Sequence, residues 1–279
     1  MNQRIVARTP TIGVFDSGVG GLTVLAALLK QASAADYLYL GDTARLPYGS
    51  KSQATIARYA VSSARFLVEQ GAEALVIACN TASALALDAL RAAVDVPVIG
   101  VIETGATAAL QSSQTKDVMV IATAATVESH AYSAACRERG LRAIEKACPL
   151  LVPLVEEGWV EHAVTREVAA IYLDDLLAQC AAAGMTADTL VLGCTHYPLL
   201  RPVIEETLRL RDGGQTIRVI DSAHVTAEQV AARLGLEDHA GREPGVRFYA
   251  TDSVAKFRAL GTRFLGRAID GVELIDLGG

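Results

Sequence analysis

Residues Ala74–Ser83 read ALVIACNTAS. An apolar, β-branched run stops at Cys79, Asn80 and Thr81 follow, and an alanine-rich helical pattern takes over. That order predicts a buried strand whose C-terminal end presents a thiol at the N-terminus of a helix. The same arrangement returns at Thr189–Pro198, TLVLGCTHYP, where Cys194 closes the run and Thr195 and His196 trail it. Two such elements, one in each half of the chain, predict two thiols facing a shared cleft.

Outward from these segments, strands alternate with helices. Ile12–Phe15 runs into Asp16-Ser17-Gly18-Val19-Gly20-Gly21, and Leu22–Leu29 is helical. A glycine-rich turn between strand and helix can cradle an anion. It lacks both the GK[ST] ending and the GxGxxG spacing, so a tight turn with Asp16 or Ser17 capping the helix stands beside that reading. Further strands are expected at Tyr37–Leu40, Pro97–Val101, Asp117–Ala122, Ile217–Ile220 and Val246–Ala250. Helices are expected over Ser52–Gln70 with Gly71 as its stop, from the Cys79 strand to about Val94, and from Thr123 to near Gly140. Others cover Thr165–Ala183, a stretch reaching Leu236, and Ser253–Leu265. Pro47-Tyr48-Gly49 has turn chemistry, the segment from Cys148 to Gly158 reads as irregular and carries Glu156, and Glu237–Gly245 reads as a polar linker. The alternation predicts an α/β fold with mostly parallel sheets, which gather ligands at their C-terminal ends. Asp16, Cys79, Thr123, Cys194 and Asp221 share that address.

Composition sets the class. Of 279 residues 51% are hydrophobic and 20% charged, which suits a packed globular chain of one large or two ordinary domains. The net charge of −6 leaves no basic footprint for nucleic acid. MNQRIVARTP lacks the apolar core of a signal peptide, and no apolar run approaches a membrane span, so a cytoplasmic enzyme-like protein is expected. The five cysteines form no CxxC pair, which argues against a disulfide framework and against zinc. Cys136 and Cys180 fall inside helical patterns and Cys148 precedes a proline, so these three read as small buried hydrophobes.

Cys79 and Cys194 admit a chemical reading because a thiolate is stabilised at a helix N-terminus. One cysteine with His196 would suit acyl transfer. Two on opposite walls suit inversion of a carbon stereocentre, one thiolate taking the α-proton while the opposite thiol delivers another. Asp16 is then expected to orient a substrate ammonium and assist Cys79, and His196 to assist Cys194 with Glu156. Capping is the bland role of Asn80, Thr81 and Thr195, whose N–H groups and hydroxyls also suit a carboxylate.

The chain resembles the glutamate racemases of the cofactor-independent aspartate/glutamate racemase superfamily. The resemblance rests on GVFDSGVGGLTV (Gly13–Val24), YLGDTARLPYGSKS (Tyr39–Ser52), VIACNTASA (Val76–Ala84), PVIGVIE (Pro97–Glu103), ACPLLVPLVEEG (Ala147–Gly158), LGCTHYPLL (Leu192–Leu200) and IDSA (Ile220–Ala223). These span nearly the whole chain in the family's order. The resemblance implies two pseudo-symmetric α/β domains with the active site between them, the first formed by residues 1–103 plus 211–279 and the second by 104–210. It implies Cys79 and Cys194 as the catalytic pair, assisted by Asp16, Glu156 and His196. It also implies substrate contacts from Asp16, Ser17, Tyr48, Gly49, Asn80, Thr81, Thr123, Thr195 and His196. Glutamate as substrate, D-glutamate for peptidoglycan as the purpose, a homodimer, and neither metal nor cofactor complete what it implies. Only five lysines occur, none in a Schiff-base setting, so pyridoxal phosphate is not expected. Racemases or isomerases of aspartate, hydantoins or maleate, and a non-enzymatic amino-acid-binding module, are the alternatives.

Overall fold

The computed structural model describes residues 9–211, 217–236 and 242–278. β1 (Thr11–Asp16) carries a buried run into the glycine-rich turn, and α1 (Leu22–Gln31) takes the chain back. Gly21 precedes α1 with no side-chain cap, so neither Asp16 nor Ser17 has the capping role. β2 (Asp36–Gly41) leads through short 3₁₀ turns at Thr43–Arg45 and Tyr48–Ser50 into α2 (Gln53–Glu69). The Ser52 hydroxyl accepts the Thr55 N–H at its start, and Gly71, at φ +100°, supplies the left-handed residue beyond its end.

β3 (Ala74–Ile77) opens onto α3 (Asn80–Leu85) and α4 (Leu87–Ala93), a single helix in the sequence reading that breaks at Ala86. β4 (Val98–Gly100) is shorter than expected, because Val101 and Glu103 already belong to α5 (Val101–Ser112). β5 (Asp117–Ala122) is followed by α6 (Ala124–Glu128) and α7 (Ala131–Glu138), separated at His130 by a left-handed φ of +54°. β6 (Arg142–Ala147) and α8 (Leu151–Glu156) come next, and α8 lies inside the segment that reads as irregular. α9 (Ala163–Ala182), β7 (Thr189–Gly193), α10 (Arg201–Arg209), β8 (Arg218–Asp221) and α11 (Ala223–Leu234) follow. β9 (Val246–Ala250), α12 (Val254–Leu265) and β10 (Val272–Leu274) complete the order. Residues 237–241 of the expected linker lie outside the described residues.

The strands form two parallel sheets, ordered β10-β9-β2-β1-β3-β4 and β6-β5-β7-β8. This is the expected α/β architecture, with β1 and β5 each flanked on both sides. One boundary differs. β8 was expected to return to the first domain, yet Leu190 pairs with Val219 and Val191 with Ile220, which extends the second sheet. The first sheet regains the chain only at β9, and α11 bridges the two lobes by packing on α1 and α5.

Burial explains why the lobes hold together. Ile12, Val14, Leu25 and Tyr39 of the first lobe share one apolar cluster with Met119, Ile121, Leu190 and Leu192 of the second. Alternate residues of the central strands feed separate clusters on the opposite faces, such as Phe15, Leu75 and Ile77. Parallel strands buried on both faces need such continuous apolar runs. Among the described residues no helix is long and apolar enough to cross a membrane.

Tyr197 ties the second sheet to the loops at its C-terminal edge. Its buried hydroxyl donates to the Cys148 carbonyl at 2.8 Å and lies 3.2 Å from that of Ala122. Tyr197→Phe removes the donor and leaves a buried carbonyl underbonded, so we expect a loss of about 1–2 kcal/mol by chemical denaturation. Leu274→Ala, at an exposed edge position, should stay within about 0.5 kcal/mol of the parent.

Candidate active site

The C-terminal ends of both sheets open on one cavity of about 910 Å³. Cys79 and Cys194, Ser17, Tyr48, Gly49, Asn80, Thr81, Thr123, Thr195, His196 and Glu156 all line it. Asp16 does not. It is fully buried, with Oδ2 accepting the Gly18 N–H at 2.9 Å and Oδ1 without a hydrogen-bond partner among the described residues. Burial raises its carboxyl above the usual range, against the opposing pull of His196 and nearby backbone N–H groups. Its charge raises the neighbouring Cys79 thiol. Asp221 also lies away from the cavity: it ends β8, pairs with Arg201 and accepts the Ala223 N–H.

Cys79 follows β3 and is itself the N-cap of α3. The Ala82 N–H donates to its sulfur at 3.4 Å, and the thiol donates to Ser17 Oγ at 3.5 Å. Burial, then the charge of Asp16, pushes the thiol up to about 12, although the Ser17 and Ala82 hydrogen bonds pull the other way. Asn80 and Thr81 form the first turn of α3 and are not its cap.

Cys194 has a different setting from the one the sequence suggests. No α-helix begins beside it; a 3₁₀ turn, Tyr197–Leu200, intervenes before α10. Its partner is His196, whose Nδ1 lies 3.9 Å from the sulfur, while Nε2 lies 3.2 Å from Glu156 Oε1. Burial disfavours the imidazolium, but the hydrogen bonds to Cys194 and Glu156 and the neighbouring negative charges outweigh it, lifting His196 to about 10. The same hydrogen bond holds the Glu156 carboxyl below its usual range despite partial burial, with help from Lys256. A nitrogen thus faces each sulfur, a helix amide N–H for Cys79 and His196 Nδ1 for Cys194.

The lobes touch around this cavity through small residues. A Cβ on Gly20 would stand 2.2 Å from Thr195 Oγ1 and 2.8 Å from His196 Nδ1, so only glycine lets the first turn reach Cys194's neighbours. Gly49 approaches Thr123 in the same way, its virtual Cβ 3.1 Å from the threonine's. Thr81 Oγ1 lies 3.0 Å from Thr123 Oγ1, and Tyr132 donates to Asn80 Oδ1 at 2.7 Å. Tyr48 is anchored from behind, its hydroxyl donating to buried Asp42, which also pairs with Arg45.

Reading the sequence missed the contribution of α12. Lys256, Phe257 and Leu260 line the cavity, and Lys256 Nζ lies 3.6 Å from Glu156 Oε2. Their helix carries only an ordinary amphipathic pattern, which gives no sign of the cleft. Leu46 and Val152 form apolar parts of the wall and were likewise unmarked. Among the described residues no group of three or more His, Cys, Asp and Glu side chains is arranged to hold a metal ion.

The chain is similar to known proteins along nearly its whole length. A glutamate racemase of Koribacter versatilis is 49% identical over 97% of this chain and 98% of its own length. One of Neisseria meningitidis is 45% identical over 98% and 99%. The crystal structure of glutamate racemase from Francisella tularensis in complex with D-glutamate superposes with a TM-score of 0.83 at 35% identity, covering 96% of this chain and 98% of that one. The model of the Asp/Glu/hydantoin racemase family matches residues 12–230. By a match over most of its length, and by relatives aligned from end to end, the chain belongs to the Asp/Glu/hydantoin racemase family.

Proposed function

We propose that this protein is a glutamate racemase that interconverts L- and D-glutamate without a cofactor and supplies the D-enantiomer for peptidoglycan. One observation carries the mechanism: Cys79 and Cys194 end strands of two different sheets, yet line one cavity, each with its own polar partners. A substrate α-carbon between them presents one face to each sulfur. One sulfur, as thiolate, removes the α-proton while the other, as thiol, protonates the opposite face. Each turnover leaves the thiols in the complementary protonation state, ready for the other enantiomer. The Asn80 and Thr81 amides and the Ser17, Thr123 and Thr195 hydroxyls suit carboxylates, and Asp16 supplies negative charge behind Cys79 for the substrate ammonium. His196, paired with Glu156, supports negative charge on Cys194 and can return its proton.

In deuterated water the product enantiomer should carry deuterium at Cα from its first appearance, because the donor thiol has already exchanged with solvent. Cys79→Ala and Cys194→Ala should each lower kcat by about 10²–10⁴ in both directions, the range of a lost general acid or base. Cys136→Ala, Cys148→Ala and Cys180→Ala should remain active. Initial product retaining the substrate's own proton would replace the pair with a single shuttling base.

Specificity follows from unpaired polar groups. A site that satisfies the side-chain carboxylate of glutamate leaves buried donors empty with aspartate, at about 1–3 kcal/mol per group. We expect kcat/KM for glutamate to exceed that for aspartate by at least about tenfold, one such group's worth. Equal values would shift the assignment to an aspartate-directed or broad racemase.

The His196–Glu156 pair has a definite pH signature. With its folded value near 10, above an ordinary 6.5, His196 stabilises the fold fully below 6.5 and loses that contribution as pH rises through 10. Glu156→Gln removes a charged partner while burial still opposes the imidazolium. The His196 titration followed by NMR should therefore move down from about 10. An unmoved titration would mean that Glu156 is not what holds the proton there.

A further inference from the structure

α12 belongs to the first lobe, yet it lies along the arm of the second lobe that serves Cys194. Lys256 Nζ is 3.6 Å from Glu156 Oε2. Phe264 meets the His196 ring edge-on, with centroids 5.2 Å apart and planes at 78°. Arg263 packs so closely on the turn after α8 that a Cβ on Gly158 would stand 2.4 Å from its Nη1. Three side chains of one helix thus bear on Glu156, His196 and the turn that follows Glu156.

The two oxygens of Glu156 are divided between these neighbours. Oε1 faces His196 Nε2 at 3.2 Å, and Oε2 faces the ammonium of Lys256. Glu156 ends the short helix α8, and its side chain is about one-fifth exposed, so water competes for it. A carboxylate on a three-torsion stem loses rotamer freedom when it is held on one partner. A second charge on the far oxygen, although carried by a lysine side chain that is 63% exposed, favours the orientation that aims the near oxygen at the imidazole.

We propose that Lys256 is a positioning residue of the racemase site, holding Glu156 on His196 from the opposite lobe so that the Cys194 half of the machinery is assembled only where the lobes meet. This rests on the racemase reading above. Cys194 acts as base in one direction and as acid in the other, so the effect falls on both. Charged and titratable groups facing His196 are Glu156 from α8, Asp16 from the end of β1 and Cys194 beside it; Lys256 acts through Glu156. Because Lys256 also lines the cavity, the competing role is direct attraction of the anionic substrate.

A double-mutant cycle of Lys256→Met with Glu156→Gln, assayed with L- and D-glutamate, separates the two roles. Lys256→Met should lower kcat by about 5–20-fold in both directions with KM changed less than about twofold, as expected when alignment and not uniform binding is lost. Lys256→Arg should keep most of kcat. In the Glu156→Gln background Lys256→Met should add less than about a twofold effect, since the partner it holds is gone. A raised KM with kcat intact, or a full effect that persists without Glu156, would assign Lys256 to substrate attraction; an unchanged kcat in Lys256→Met would remove it from the site. A measurement without turnover stands beside these. The ¹⁵N shift of His196 Nε2 should move in Lys256→Met and return in Lys256→Arg, and a shift unmoved by Lys256→Met would overturn the positioning role. Absence of racemisation by the parent protein would defeat the racemase reading, and the nitrogen shift would still decide what Lys256 does to the pair.

Discussion

The missing side chain at Gly20 is the constraint on which the site depends. The glycine-rich turn after β1 comes so close to Thr195 and His196 that any Cβ there would overlap them. That contact joins two sheets that are separate hydrogen-bonded units, beside the apolar cluster the lobes share. With the lobes at this spacing, Cys79 and Cys194 line one cavity, and the hydroxyls of Thr81 and Thr123 reach each other across the seam. A larger residue would force Thr195 and His196 to shift beside Cys194.

The two halves of the site are alike in address and unlike in electrostatics. Each thiol follows a buried parallel strand, where the fold naturally gathers ligands. Cys79 has a helix amide and a serine beside it and a buried carboxylate behind it, so burial and charge keep its proton in place. Cys194 has an imidazole held by a carboxylate, and that pair carries a proton well past neutrality. A reaction that runs equally in both directions does not require identical halves. It requires that each sulfur be able both to give and to take a proton on the same carbon.

The apolar scaffold explains how such polar groups are tolerated. One hydrophobic cluster runs continuously from β1 and α1 through β5 and β7 to α9, so the cavity is bounded by packed walls. Buried polar groups around it are paired, as with Tyr132 on Asn80, Tyr48 on Asp42 and Tyr197 on the carbonyl of Cys148. Asp16 Oδ1 is the exception beside the site, a buried acceptor without a hydrogen bond among the described residues. It lies beside Cys79 and raises that thiol.

What the sequence determined by itself was local and periodic. Apolar runs ending in Cys79 and Cys194 marked the buried strands, the alternation with helices marked an α/β fold, and Gly71 marked a helix end. The motif residues told which side chains to watch, and of those singled out all but Asp16 and Asp221 line the cavity. Tertiary structure decided the rest, because it depends on groups distant in the chain. β8 joins the second sheet through its register with β7, a choice that four residues of strand pattern cannot specify. β6 escapes notice because it is an edge strand without a fully buried side chain, and α8 because prolines punctuate its approach. Cys194 answers to His196 and not to a helix, and Asp16 acts from behind the wall; both follow from packing. Lys256 is the plainest case: its helix carries only an ordinary amphipathic pattern, and only the meeting of the lobes brings its ammonium to Glu156, 100 residues earlier in the chain.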